Sequence, residues 1–584
     1  MNNVITLLFF LLPLFFPIPI QSFPNLSLSS QNHFINRITR NTTSNHDTEY
    51  FEVTQPLPTD DLTPTCSINV LNHTFENNSN STSNITSRLV NVPYSPPPAT
   101  CQWSHVVLDF HAQCQGEKQQ HDDIAGLWIN GVELLRTSIS QPNEYGSVVF
   151  WNIRKDVTRY SSVLAQNNLT FSLMIENLLN EEFVDVYFVN VSLLFYNGNV
   201  IKGESLYPYE TPADLIVPVS GGLDESGFWL KIHNESDVQT RNVEISQKSY
   251  KAVLEVYVSF HGDDEFWYMN PPDSYITANN LNRSKGNGAY REVLVTVDGN
   301  KLVGTVIPFP VIYTKGINPL LWKPVVSFGA FDLPSYDINF TPFLGLLLDN
   351  KNHSIGFEIA GGVSFWLVDA NLHLWLDQSN VIAIVEYEPP AMEIEHEYEF
   401  EGLKGEFEIE VERKTTAIGW IQSSLGFLKT KITEKNTFKN KLKYLDQGTR
   451  VTLEQEIKVK TKVKITTDSG HSIGELEIEK VYPLKLNIVN QPGFGKGCGY
   501  LMSTSNVVQG RTDRFTSEKI SRVLKRNLNC TSSMVVKDNG LVVSGSMENH
   551  QNYDYKDEFG CYSRRVEMVG GDVIADQTSS NCVD

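Results

Sequence analysis

Over much of its length the chain alternates apolar and polar residues with period two, the spacing of side chains on the two faces of an extended strand. In "HVVLDFHA" the residues Val106, Leu108, Phe110 and Ala112 share one face, and His105, Val107, Asp109 and His111 share the other. "VYFVNVSLLF" aligns Tyr187, Val189, Val191, Leu193 and Phe195, with Asn190 pointing the other way. "LEVYVSFHG" repeats the pattern through Leu254, Val256, Val258 and Phe260. Turn-forming clusters such as "NPPDS", "SKGNG" and "VDGNK" punctuate these runs, and no strong long helical pattern competes with them. Such a chain is expected to be all-β and built of antiparallel sandwiches.

The start is different. "MNNVITLLFFLLPLFFPIPIQS" is an uncharged tip followed by an apolar run, and Pro13, Pro17 and Pro19 break it below the length of a bilayer span. Residues 1–22 therefore read as a secretory signal, with no later transmembrane segment. Residues 23–92 are rich in Asn, Ser, Thr and Pro and read as a glycosylated, loosely ordered lead-in. Asn-x-Ser/Thr acceptors occur at Asn25, Asn41, Asn72, Asn77, Asn80, Asn84, Asn168, Asn190, Asn234, Asn282, Asn339, Asn352 and Asn529. Their density behind a signal points to the secretory pathway and a secreted, extracellular or vacuolar destination.

Cysteine usage agrees with an oxidising compartment. The seven cysteines are Cys66, Cys101, Cys114, Cys498, Cys530, Cys561 and Cys582, and none forms a C-x-x-C pair that would suggest zinc. The close pair Cys101 and Cys114 is the expected first bridge, with two more among the last four and Cys66 left over. The chain carries 47 Lys plus Arg against 68 Asp plus Glu, a formal charge of -21, which disfavours nucleic acid or another polyphosphate as partner. An acidic surface also loses self-repulsion as pH falls, which suits an acidic compartment.

From about residue 390 the alternation pairs apolar residues with dense charge. "FEIEVERK" sets Phe407, Ile409 and Val411 against Glu406, Glu408, Glu410 and Glu412. "IKVKTKVKI" sets Ile457, Val459, Val463 and Ile465 against four lysines. Facing strands are expected to pair these charges across a solvated face. The expected organisation is a first sandwich over residues 93–203, a second over 204–385, and a β-rich, disulfide-stapled C-terminal region over 386–584.

Three groups of carboxylates sit where strands begin or end. Asp122 and Asp123 precede the apolar run "IAGLWI"; Glu176 ends the run "LTFSLMIE"; Asp263, Asp264 and Glu265 follow a strand beside Phe266, Trp267 and Tyr268. Carboxylates accept hydrogen bonds from sugar hydroxyls and rings cover the apolar face of a pyranose, so the third group has the composition of a glycan site. A turn of solvated acids beside a buried aromatic plug is the alternative. Trp128 and Trp151 lie in apolar strand runs and read first as core, with sugar stacking as the other reading.

The stretches "CQWSHVVLDFHAQCQG", "DIAGLWINGVELLRTS", "FWNIRKDVTRYSSVL", "NVVQGRTD" and "CYSRRVEMVGGDVIADQTSSNC" resemble the plant acid peptide N-glycanases, also called peptide-N-glycosidase A. The resemblance runs from about residue 95 to the C-terminus. It implies hydrolysis of the amide that joins an N-glycan to asparagine, releasing a glycosylamine and leaving aspartate. A weaker similarity extends to bacterial peptide N-glycanases, which implies two adjacent jelly-roll sandwiches with a carboxylate site between them. By that similarity Asp122 matches the main catalytic aspartate, and Glu176 and Glu265 match two supporting glutamates. Asp123 stands where an arginine is expected, and Leu178 where an aromatic is expected.

The expected roles are central acid/base catalysis for Asp122, water positioning for Glu265, and tuning of Asp122 or contact with the first sugar for Glu176. Trp267, Phe266, Asp264, His261 and Trp128 are the expected substrate-binding residues. N-glycosylated peptides and proteins are the expected partners, with neither metal nor cofactor. A silent glycan-binding sandwich and a two-carboxylate glycoside hydrolase remain open alternatives. The sequence shows no G-x-S-x-G elbow, and His105 and His111 are about 20 Å apart along one strand, too far to share a metal.

Overall fold

The computed structural model describes residues 47–75, 89–115, 124–140, 148–176, 186–197, 211–222, 227–492, 500–518, 520–537 and 542–581. The chain is all-β. Two sheets form the first sandwich. One runs in the order Thr48–Tyr50, Val148–Asp156, His105–Gln115, Val186–Tyr196 and Cys66–Phe75, antiparallel except for its short first pair. The other runs Leu89–Tyr94, Leu169–Ile175, Ile124–Ile129 and Val132–Ser138. The apolar faces expected from the alternation meet between them: Val106, Leu108, Phe110, Ala112, Tyr187, Val189, Val191, Leu193 and Phe195 are all buried in one core.

The second sandwich repeats the scheme. One sheet runs Leu215–Val219, Trp366–Leu376, Ser249–Phe260 and Ser335–Asn339, with Leu230–Ile232 also pairing with Trp366–Leu376. Its partner runs Gln239–Val243, His353–Ala360, Glu292–Val297 and Lys301–Val306. Beyond Ile382 a single sheet of 11 strands meanders to Ser579, with several strands of 17 to 21 residues. Phe407, Phe438, Leu442, Ile457 and Tyr482 on one face of this sheet share a core with the second sandwich. Its opposite face carries the expected charge ladder, including Lys439 to Glu410 at 2.7 Å and Lys460 to Glu477 at 2.7 Å.

Three expectations need correction. The lead-in is not uniformly loose, because Cys66–Phe75 is an edge strand of the first sandwich. Its outward face carries Ser67, Asn69, Asn72 and Thr74, so composition hides the buried Leu71 and Phe75. Residues 1–46 lie outside the described residues. Secondly, Cys101 is bonded to Cys66 and not to Cys114, which is buried within its own strand. Short spacing misled because Cys114 belongs to a central strand, whereas Cys66 begins the edge strand. Thirdly, Cys530 is a buried free thiol, so two bridges cannot form among the last four cysteines. Cys561 is disulfide-bonded; Cys498 and Cys582 lie outside the described residues.

Of the acceptor asparagines, Asn72, Asn168, Asn234, Asn282, Asn352 and Asn529 are exposed, and Asn190 and Asn339 are half-exposed. Asn25, Asn41, Asn77, Asn80 and Asn84 lie outside the described residues. No helix among the described residues is long and apolar enough to cross a membrane.

Candidate active site at the strand mouth

All six residues of Ile124–Ile129 are buried. Ala125, Leu127 and Ile129 face the core of their own sandwich, while Ile124 and Trp128 face Trp229 and Leu367 of the second. A strand covered on both sides loses the period-two pattern and reads as a continuous apolar run. Gly126 fits this packing, since a Cβ there would lie 2.3 Å from the Trp128 indole and 2.5 Å from that of Trp229. Trp128 is therefore core, as its apolar run reads first, which corrects its expected contact with substrate, and its Nε1 donates to Asp369 at 2.7 Å. Trp151, also buried, stacks on Phe331.

The neighbouring strand pairs Ile175 with Ala125, and the next residue, Glu176, donates its backbone N–H to the Ile124 carbonyl at 2.9 Å. This bond sets Glu176, 7 % exposed, beside the residue with which the Ile124–Ile129 strand opens. Asp122, Asp123 and Leu178 lie outside the described residues.

The second carboxylate group forms a single 3-10 turn after the Ser249–Phe260 strand. Gly262 takes φ of 62°, and a Cβ there would meet Ser364 Oγ at 2.5 Å, so glycine suits the turn on both counts. Asp263 points outward to Lys285 at 3.1 Å. Asp264 is wholly buried: Arg291 Nε donates to it at 2.9 Å, as do Val363 N, Ser364 N and Trp366 Nε1 at 2.9, 3.0 and 2.8 Å. Asp264 is thus a structural anchor, correcting its expected contact with substrate. Glu265 closes the turn with its N–H on the Gly262 carbonyl at 3.2 Å, and is 4 % exposed.

The aromatic neighbours divide. Trp267 is 0 % exposed and packs against Phe260, Tyr268 and Phe438, so it is core and not a sugar platform. Phe266 is half-buried, packed against the core of the second sandwich and edge-on to Tyr268. His261 is buried between Phe365, parallel at 5.1 Å, and Tyr313 at 6.1 Å, with Nε2 against Ser259 Oγ at 2.9 Å. Burial, with Arg136 and Lys231 nearby, pulls its pKa down to about 3, so it is a neutral part of the wall and no direct substrate ligand.

Phe365 links the two carboxylate groups. Its carbonyl accepts from His261 N at 3.1 Å, and its ring packs on the cluster that contains Ile124 and Met174. Thus the turn carrying Glu265 and the strand end carrying Glu176 meet the same small apolar cluster, at the seam between the sandwiches.

Beneath that seam lies a polar floor that the sequence reading missed. Arg136 donates to both oxygens of Glu133 at 2.8 Å and crosses the seam to Leu367 O at 2.6 Å and Ser259 Oγ at 3.1 Å. Burial, and then Glu133, raise the Asp369 pKa well above the usual carboxylate value. Further along, Glu255 accepts from Arg159, Tyr160, Ser335, Asn371 and His373. Burial opposes its charge, but Arg159 and His373 outweigh that and hold its pKa well below normal. Arg159, which also reaches Asp337 at 2.9 Å, is therefore a tie across the seam. The available signal was polar residues on alternate positions of strands whose other face is apolar: Glu255, Tyr257 and Ser259, and Asp369, Asn371 and His373.

His105 and His111 are satisfied by Ser104 and Asn152 respectively. Comparison with known proteins gives one consistent affiliation. Residues 54–388 match the family described as peptide N-acetyl-beta-D-glucosaminyl asparaginase amidase A. A curated relative, peptide-N4-(N-acetyl-beta-glucosaminyl)asparagine amidase A of Prunus dulcis, is 36 % identical over 554 residues, covering 92 % of this chain and 94 % of its own. Two solved structures of PNGF-II, in different space groups, are each 12 % identical and cover 54 % of this chain and 66 % of theirs. Their TM-scores are 0.34 and 0.36, too low to carry an argument.

Proposed function

The chain belongs to the peptide N-acetyl-beta-D-glucosaminyl asparaginase amidase A family, and from that premise we propose a mechanism for its hydrolysis of the glycan–asparagine amide. The oxygen of a water adds to the side-chain carbonyl carbon of the glycosylated asparagine. The carbon–nitrogen bond then breaks, nitrogen takes a proton and leaves as a glycosylamine, and the peptide keeps aspartate. The chemistry needs a group to take the water's proton and return one to nitrogen, each such group contributing roughly 10²–10⁴-fold in rate.

In this reading Asp122 performs the central proton transfers, Glu265 orients the water, and Glu176 tunes Asp122 or holds the first sugar. The observation that carries it is the 2.9 Å bond from Glu176 N to Ile124 O, which brings a buried glutamate to the start of the strand that Asp122 precedes by two residues. Phe266 is the ring of the expected set that is half-buried, whereas Trp267 and Trp128 are wholly buried, so in this reading it is the one assigned to the sugar. The substrates are N-glycosylated peptides and proteins met in the secretory pathway. That setting is supported by the Cys66–Cys101 bridge and by exposed acceptor asparagines.

The test is a defined glycopeptide incubated with wild type and Asp122→Asn at mildly acid pH and analysed by mass spectrometry. Wild type converts the glycosylated Asn to Asp and frees the whole glycan, and Asp122→Asn is slower by about 10²-fold or more. Equal rates refute the role of Asp122; Asn retaining a sugar stub would indicate a glycosidase, and binding without cleavage a lectin.

A further inference from the structure

The charge ladder on the outer face of the C-terminal sheet stops short of one end. Along Lys404–Ser423 the outward acids finish at Glu412, and Ile418 and Trp420 follow on the same face. On the facing strand Gly426–Leu445 the lysines run further, to Lys431 and Lys429, and Phe427 comes last. The edge strand Ile382–Tyr387 adds Ile382 and Ile384, 68 % and 60 % exposed, and Leu425 at the hairpin apex is 64 % exposed. Cross-strand partners share a face, so these side chains form one apolar corner. Ile384 stands opposite Trp420, and Trp420 opposite Lys429, whose Nζ lies 5.1 Å from the ring centre.

Behind the corner the unpaired charge is chiefly positive. Glu412 is shared by Lys414 and Lys435, and Glu477 by Lys460 and Lys462. Lys429, Lys431 and Lys464 form no ion pair among the described residues, and Lys431 stands directly opposite Lys464. Glu386 and Glu475 are the remaining acids on these rungs, while Asp377 and Asp468 accept from the turn N–H groups of Ser424 and Ser469. Like charges placed opposite each other are destabilising, and an anion at that rung relieves the repulsion.

We propose that this corner docks the protein on a lipid bilayer with anionic phosphate headgroups, its apolar tip in the interface and its lysines at the level of the phosphates. The order along the strands matches the layering of a bilayer. Leu425, Phe427 and Ile382 come first, then Trp420 and Ile384 with Lys429, then Lys431 and Lys464. Phe427 and Lys429 are two residues apart, about 7 Å along the strand, within the depth of about 5–10 Å to which interfacial apolar groups sink. A hairpin apex enters a fluid layer without needing a shaped pocket. Two copies meeting through this corner would set lysines against lysines, which disfavours self-association. The formal charge of -21 belongs to the whole chain. Beyond about 8 Å its influence is screened at physiological ionic strength, so the groups at the contact decide.

Flotation of the full chain with phosphatidylcholine vesicles, with and without phosphatidylserine, tests this at physiological salt. Wild type should float with the anionic vesicles. Lys429→Gln, Lys431→Gln and Lys464→Gln combined should weaken that binding by about 100-fold, at about fivefold per lysine. Leu425→Ser, a single change at the exposed apex that should leave Tm unchanged, should weaken it by about 10-fold. Absence of wild-type flotation with anionic vesicles, or binding that neither variant weakens, overturns the proposal. So does a wild-type dimer that Leu425→Ser dissociates while vesicle binding is absent, because the corner then serves a second copy of the chain.

Discussion

Replacing Asp264 with asparagine separates a structural anchor from a sugar ligand. The native carboxylate is wholly buried and receives one guanidinium, two backbone N–H groups and one indole N–H. Arg291, equally buried, spends Nη1 on the carbonyls of Gly288 and Tyr290 and has Asp264 as its only ion pair among the described residues. Burial already pulls the Arg291 pKa down, with Asp264 opposing that pull. Asp264→Asn leaves this cation without its anion, and removing one partner of a buried pair costs about 3–5 kcal/mol. The retained amide oxygen places the expectation near the lower figure. For a unit of two sandwiches this corresponds to a fall in Tm of about 6–10 °C, read by calorimetry at neutral pH. Activity should fall chiefly through kcat, because Glu265 rides on the same turn. Arg291→Gln combined with Asp264→Asn should lose less than the two single losses together. An unchanged Tm with a raised KM would refute the reasoning and return Asp264 to the substrate.

His261 and the cysteines give two further predictions. A histidine with its pKa lowered from 6.5 to about 3 contributes its stability above pH 6.5 and loses it as pH falls toward 3, since the unfolded chain takes the proton first. Tm measured against pH should therefore fall less steeply in His261→Gln, the difference amounting to at most about 1.4 kcal/mol per pH unit; parallel curves would contradict the neutral assignment. The Cys66–Cys101 bridge closes a separation of 35 residues, so Cys101→Ser should destabilise by about 3–4 kcal/mol in chemical denaturation. Cys114→Ser should leave that bridge intact, and a Cys101–Cys114 peptide in a non-reduced digest would refute the pairing.

The alternation made much of the fold legible because each half-buried strand has one face to water. It exposes the core row Val106, Leu108, Phe110 and Ala112 and the glutamate and lysine stripes of the C-terminal sheet in the sequence itself. It failed where burial is two-sided. Ser249–Phe260 lies between its own sandwich core and the seam, so Glu255, Tyr257 and Ser259 form a second buried face made of polar groups. Such residues look solvent-facing in a sequence, because the partners that satisfy them, Arg159 and Arg136 among them, come from nearly 100 positions away or more. Trp128 and Trp267 misled for the reverse reason. Beside candidate acids each has the composition of a sugar platform, yet the second sandwich covers one and the long C-terminal sheet covers the other.

The three consecutive acids at residues 263–265 show why a site of this kind cannot be assigned by composition alone. A 3-10 turn has three residues per turn, so its successive side chains diverge by about 120°. Asp263 reaches the lysine at the surface, Asp264 is drawn onto a buried arginine, and Glu265 closes the turn. Chemically similar neighbours therefore serve solvent, scaffold and proposed chemistry in sequence. What separates them is the position of Arg291 and the Val363–Trp366 segment, contacts supplied by distant parts of the chain. The scaffold acid also constrains the proposed catalytic one: with Asp264 fixed by four donors, the next residue has little freedom to leave the mouth. A substitution at Asp264 should consequently imitate a catalytic defect without touching substrate, and the paired Tm and kcat measurements distinguish that indirect route from direct contact.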